Sequence, residues 1–193
     1  MKQLLAILCF LLLSATLSTP ASAKEHPAPV DSSRVTSPDN LIIPNQRIGA
    51  IRLGMGMDEV RRLLGKPSGG VLANAARNQG AIWSYGDLNL QISFDSGAAP
   101  IVTSIQAHGW THKHKTLDTL YWKDIDPVKV AFQTSNGITV GSSAFDVRRV
   151  YSNYGYEESQ PGQGLIMYYK SIGLTFFVTA DHIVYSIGIY TPQ

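Results

Sequence analysis

Ile51-Arg52-Leu53-Gly54-Met55-Gly56-Met57-Asp58-Glu59-Val60-Arg61-Arg62-Leu63-Leu64-Gly65 and Ile138-Thr139-Val140-Gly141-Ser142-Ser143-Ala144-Phe145-Asp146-Val147-Arg148-Arg149-Val150-Tyr151 read as two versions of one pattern. Gly54 and Gly141 lie 87 positions apart, and so do Val60 and Val147, so the register holds without a gap. Self-similarity of this kind points to a repeated structural unit. In the first copy Met57, Val60, Leu63 and Leu64 recur at helical spacing. Gly56 takes the N-cap position, and Asp58 and Glu59 place negative charge at the positive end of the helix. Gly65 and Pro67 close it. In the second copy Ser143 and Asp146 form a Ser-x-x-Asp capping box ahead of an apolar stripe of Ala144, Val147, Val150, Tyr151 and Tyr154. Helices of about two or three turns do not persist alone in water, so both must lean on a larger element.

That element is a sheet. Leu88, Leu90, Ile92 and Phe94 alternate with Asn89, Gln91 and Ser93, the period of a strand with one buried face. Ile172, Leu174, Phe176 and Val178 repeat the alternation in the second copy. Ala81 to Tyr85 and Leu165 to Tyr169 precede these strands, with Gly86-Asp87 and Lys170-Ser171 as two-residue hairpin connections. Ile101 to Ala107 and Ile183 to Ile189 follow them, joined by short turns that imply antiparallel neighbours. The expected fold is α+β, a tandem repeat of a short helix packed on an antiparallel β-meander.

The N-terminus sets the compartment. Lys2, an apolar run from Leu4 to Leu13, and Ala21-Ser22-Ala23 make a secretory signal peptide over residues 1–23. The run is too short for a spanning helix, which needs about 20 apolar residues. The only cysteine, Cys9, lies inside the removed piece, and Leu8 stands where a lipoprotein signal needs a small residue. The exported chain therefore has no thiol for a disulfide, a nucleophile or a Cys-ligated metal. Removing Lys2 from 16 basic residues leaves them almost balanced against 14 acidic ones, which gives no support for a nucleic-acid partner or a membrane surface. Residues 24–40 read as a polar leader, 41–108 as the first repeat, 109–133 as a connector with an added edge strand near Val128 to Phe132, and 134–193 as the second repeat.

The string Ile51-x-Leu53-Gly54-Met55-x-Met57-x-Glu59-Val60-x-x-Leu63-Leu64-Gly65-x-Pro67 resembles the opening of an exported superfamily. That superfamily includes the secreted β-lactamase inhibitor protein and the SmpA/BamE-like lipoprotein of outer-membrane barrel assembly. Two copies in tandem resemble the inhibitor-protein arrangement, in which helices back a sheet whose concave side binds a protein. The resemblance implies a fold and a mode of docking. It carries over no binding residues, because the shared positions are structural.

On strand parity the face away from the helices carries Asn89, Gln91, Ser93, Ser104 and Gln106 in the first copy. In the second it carries Tyr168, Lys170, Thr175, Phe177 and Tyr190. Tyr168, Phe177 and Tyr190 are the leading candidate binding residues, since aromatic rings bring contact area at low entropy cost. Trp110 and Trp122 in the connector join them. The bland alternative is that these rings pack against the other half. His108, His112 and His114 offer a weak zinc set, with 112 and 114 at alternate positions, but no Asp or Glu in that run completes it. Arg61-Arg62 and Arg148-Arg149 read as the solvated side of each helix. The expectation is a non-catalytic module, periplasmic or secreted, without cofactor, monomeric or weakly self-associating, that binds another envelope or secreted protein. A metal-dependent hydrolase using the connector histidines is the alternative.

Overall fold

A computed structural model of the chain describes residues 40–74, 80–109, 132–160 and 164–192. The signal segment, all but the last residue of the leader, and most of the connector, with Trp110, Trp122, His112 and His114, lie outside the described residues. The first half contains β1 (Leu41–Ile43), β2 (Arg47–Ile48), β3 (Ile51–Arg52), α1 (Met57–Leu64), β4 (Gly69–Val71), β5 (Ile82–Tyr85), β6 (Leu90–Phe94) and β7 (Val102–His108). The second contains β8 (Gln133–Thr134), α2 (Ala144–Val150), β9 (Glu157–Ser159), β10 (Leu165–Tyr169), β11 (Leu174–Val178) and β12 (Val184–Tyr190). The molecule is thus α+β with a large antiparallel sheet. Eight strands pair in the order β4-β5-β6-β7-β12-β11-β10-β9, and a four-stranded sheet pairs β3-β2-β1-β8. No helix among the described residues is long and apolar enough to cross a membrane.

The repeated glycine has a geometric reason. Gly54 and Gly141 take φ of +83° and +95°, a region that side chains disfavour. Each turns the chain so that its N–H donates to the first residue of a long strand, Gly54 to the Val102 carbonyl and Gly141 to the Val184 carbonyl, both at 2.8 Å. The bonds are returned by Val102 N–H to the Met55 carbonyl and Val184 N–H to the Ser142 carbonyl. Both helices are therefore launched from the same place on their respective strands. Gly56 caps α1 without a side chain, and Gly65, at φ +77°, ends it. At α2 the Ser143 hydroxyl accepts from the Asp146 N–H at 3.0 Å and donates to the Asp146 carboxylate at 2.7 Å.

This cap carries a prediction. Ser143 and Arg149 both hydrogen-bond the ionised Asp146 and hold its carboxyl below the usual carboxylate range. That stabilisation is present above the ordinary carboxylate pKa of about 4 and is lost as pH falls through the lower folded value. Ser143→Ala should cost about 1 kcal/mol at neutral pH and flatten the acid limb of the stability profile. Melting curves of both proteins between pH 2 and 7 check it, and parallel profiles would count against the linkage.

The helices and the small sheet meet one face of the large sheet. Val60, Ala144 and Val147 are fully buried there, against Ile92, Ile105, Met167, Tyr169, Phe176, Ile187 and Ile189. Burying one such side chain contributes about 1.5–3 kcal/mol. α1, with Val60 enclosed and Met57 and Leu64 partly so, is therefore held mainly by its sheet contact rather than by helix propensity. Around α2 the rings of Tyr151, Tyr169 and Phe176 lie 5.3–5.9 Å apart. Burial pushes the Tyr169 phenol up to about 12.

Several details differ from the sequence reading. The two-residue hairpins at Gly86-Asp87 and Lys170-Ser171 are instead 3-10 turns, Gly86–Leu88 and Lys170–Ile172, each closed by a left-handed residue, Asn89 or Gly173. Asn89 therefore ends a turn instead of standing on a strand face, and Leu88 is exposed where a buried strand position was expected. Leu63 and Tyr154 also face out, the latter because α2 stops at Val150. Of the expected edge strand at 128–132 only Phe132 is described; it is buried, and the strand seen there is Gln133–Thr134, parallel to β1. The arginines are less idle than expected. Arg61 lies 5.0 Å over the Trp83 ring, and Arg148 reaches Glu158 at 2.8 Å and the Tyr156 hydroxyl at 3.1 Å.

Candidate functional site

The face of the large sheet turned away from the helices is built by strand alternation. With Leu174, Phe176, Ile187, Ile189 and Ile105 committed to the core, their neighbours Thr175, Phe177, Gly188, Tyr190, Ser104 and Gln106 must point the other way. Pairing arranges them in rows across the strands. The middle row runs Tyr168, Thr175, Gly188, Gln106, Gln91. On one side lies Ile166, Phe177, Ser186, His108, and on the other Tyr190, Ser104, Ser93.

The middle row dips at its centre, where Gly188 has no side chain. Gly188 leaves a groove of about 410 Å³ bordered by Tyr168, Phe177 and Tyr190. The Phe177 ring overhangs it, with Cε2 3.6 Å from where a Cβ at 188 would stand. The three aromatic residues singled out from sequence, on three different strands, thus line one groove, with Ser104, Gln106, Lys170 and Thr175 from the same expected face. Strand parity also placed Gln91 and Ser93 here, one strand beyond the groove. Gly188 was missed, although a glycine inside an apolar strand is a known sign of close approach.

The polar groups are largely held in place. The Gln106 amide donates to the Ser186 hydroxyl at 2.8 Å, and that hydroxyl donates to the Ala107 carbonyl at 2.9 Å. Both bonds cross from β7 to β12. Thr175, paired with Tyr168 and Gly188 in this row, is only 4% exposed. Lys170 is the charged residue of the lining; its Nζ sits 2.6 Å from Glu157 Oε2, and that carboxylate holds the ammonium above its ordinary range. Tyr185, whose ring lies 6.1 Å from that of Phe177, has its phenol pushed up by burial.

Of the weak metal candidates only His108 is described. It lies half-buried on β7 opposite Ser186, and its row borders the groove. Among the described residues no group of three His, Cys, Asp or Glu side chains stands close enough to hold a metal. The lining offers aromatic area, hydroxyls and amides, which are suited to contact and hydrogen bonding.

No protein-family model and no curated protein matches the chain. Among solved structures it is similar to an extracellular protein containing a SCP domain from Bacillus anthracis, at 9% identity and a TM-score of 0.41, covering 72% of this chain and 44% of that one. It is also similar to a cysteine-rich secretory protein from Staphylococcus aureus, at 9% identity and a TM-score of 0.41, covering 81% of this chain and 48% of that one. The chain spans less than half the length of either. The expected membership of the inhibitor-protein and SmpA/BamE-like superfamily is corrected: no family model or curated protein matches the chain, and the solved structures it is similar to are described as an extracellular protein containing a SCP domain and a cysteine-rich secretory protein. The motif that prompted it is explained by loop and capping geometry, which is not specific to one family.

Proposed function

We propose that the chain is an exported, non-catalytic module of the cell envelope or secreted fraction that binds another protein through the sheet face turned away from the helices. The observation that carries this reading is the convergence of Tyr168, Phe177 and Tyr190 on one groove. Rings fixed by a sheet lose little freedom on contact, and clustered aromatic residues dominate binding energy at interfaces. The signal-like N-terminus supports export, and the near balance of charge gives no pull toward nucleic acid.

The reading includes a duplicated origin for the platform. Both halves run helix, short edge strand, strand, 3-10 turn with a left-handed end, strand, long strand. The sheet order reverses at the β7–β12 seam, so the two runs meet through their last strands. Duplication doubles the width of the face turned away from the helices without adding an edge.

The test is a triple variant, Tyr168→Ala with Phe177→Ala and Tyr190→Ala, used as bait in envelope extract beside the native protein. At about 1–2 kcal/mol for each anchoring ring, capture should fall by at least about 100-fold. The melting temperature should stay within a few degrees, because these rings lie outside the core cluster. A folded triple variant that captures its partner fully would sink the assignment.

A further inference from the structure

Tyr85 and Tyr169 hold matching places, each ending a strand just ahead of a 3-10 turn. The Tyr85 hydroxyl donates to the Gly65 carbonyl at the end of α1, at 3.2 Å. α2 ends at Tyr151 instead of a glycine. The Tyr169 hydroxyl is fully buried and has no hydrogen-bond partner among the described residues. Closing the chain over such a group costs free energy, because water would satisfy it and the interior does not.

Tyr156 is what closes over it. Its ring stacks on that of Tyr169 at 5.2 Å, with 28° between the planes. Tyr156 is itself partly exposed, which puts it on the solvent side of the pair. It leads directly into the edge strand β9. We propose that Tyr156 and β9 form a strap that detaches from the finished sheet as a unit and admits water to Tyr169, while β10 and β11 stay paired.

The grip on the strap is weak. All three residues of β9 are exposed, so no core side chain anchors it. Beyond its ladder to β10, it is held by charged groups. Arg148 on α2 donates to the Tyr156 hydroxyl at 3.1 Å and pairs with Glu158 at 2.8 Å, and Lys170 pairs with Glu157 at 2.6 Å. These four charged side chains are 33% to 66% exposed, and pairs in that setting hold loosely. Segments with few buried contacts open well below the cost of global unfolding. Gly155, exposed and with open space where a Cβ would stand, gives the strap a pivot.

The buried hydroxyl works against this grip, so the closed strap is finely balanced. Opening bares the outer edge of β10 and releases Tyr168 and Lys170, which β9 contacts and which also line the groove. The strap is independent of the docking reading and stands whether or not the groove holds a partner.

Residue-resolved amide exchange on the full chain tests it, comparing Glu157 to Ser159 with the central strand β11. In the native protein the β9 amides should exchange at least about tenfold faster than those of β11. Tyr169→Phe keeps the ring and removes the hydroxyl, so protection in β9 should rise about fivefold or more. Arg148→Met keeps the stem and removes both polar bonds, so protection in β9 should fall about threefold or more. The opposite signs separate a strap from a merely structural edge. Equal native rates in β9 and β11 overturn the proposal. So does unchanged or lowered β9 protection in Tyr169→Phe, or unchanged β9 protection in Arg148→Met. A rise confined to β11 in Tyr169→Phe also overturns it, since water would then reach that hydroxyl only when the whole sheet unfolds.

Discussion

Gly173→Ala is expected to destabilise the fold by about 3 kcal/mol or more, the largest single-site effect among the turns. Gly173 ends the Lys170–Ile172 turn at φ +58°, where alanine is strained by its own backbone. The neighbours add to this. A Cβ at 173 would stand 2.1 Å from the Tyr190 carbonyl oxygen and 3.1 Å from Pro192 Cδ. The oxygen belongs to β12, which cannot yield without losing the Tyr190 N–H bond to the Gly173 carbonyl. Asn89 supplies the control. It occupies the matching place after Gly86–Leu88 with φ +52° and carries a side chain there. Asn89→Gly should therefore change stability by less than about 1 kcal/mol. Urea midpoints of the two variants check the contrast. An unshifted midpoint for Gly173→Ala would show that β12 and the C-terminal residues can move aside. Because Tyr190 is also a wall of the groove, the same variant should weaken any partner that the groove holds.

How far this architecture could be read in advance depends on which force fixes each part. The helices and the inward faces of β6, β7, β10, β11 and β12 follow from periodic burial, which a chain must write into its residue order. The shared face of Tyr168, Phe177 and Tyr190 follows from the same alternation, which places them together without knowledge of the pairing. The small sheet was not legible. β1, β2, β3 and β8 are two or three residues long, too short to show a period, and β8 is a distant parallel partner of β1. The edge strands were equally hidden: Gly69–Val71 has no alternation, and Glu157–Ser159 is polar throughout. The turns were misassigned because a two-residue hairpin and a 3-10 turn with a left-handed end both favour Gly, Asn and Asp. The depth of the groove was missed for a different reason. It depends on Gly188 falling opposite Thr175 and Gln106, and register between distant strands is set by packing rather than by any local signal.

Ile105→Ala tests whether the two halves share one cooperative fold. Ile105 is fully buried on β7 and stands opposite Ile92 on β6 and Ile189 on β12, so its side chain belongs to both halves. Truncating it leaves a cavity that the paired isoleucines cannot fill without shifting the strands, at a cost of about 2–5 kcal/mol. The expected result is a single unfolding transition at lower denaturant. Amide protection in β6 and β11 should fall together in hydrogen exchange. The seam gives the reason. β7 and β12 are the longest strands of the sheet, at seven residues each, and they pair through five residue pairs. The Gln106–Ser186–Ala107 bonds reinforce that pairing. A half on its own would expose a seven-residue unpaired edge with buried isoleucines behind it, the kind of edge that proteins otherwise shield. Loss of protection confined to β4 through β7 would instead mean that each half folds alone, and the groove would then lie across a joint. Joint loss makes the groove part of one rigid sheet, the condition under which rings on three strands can act as a single contact surface.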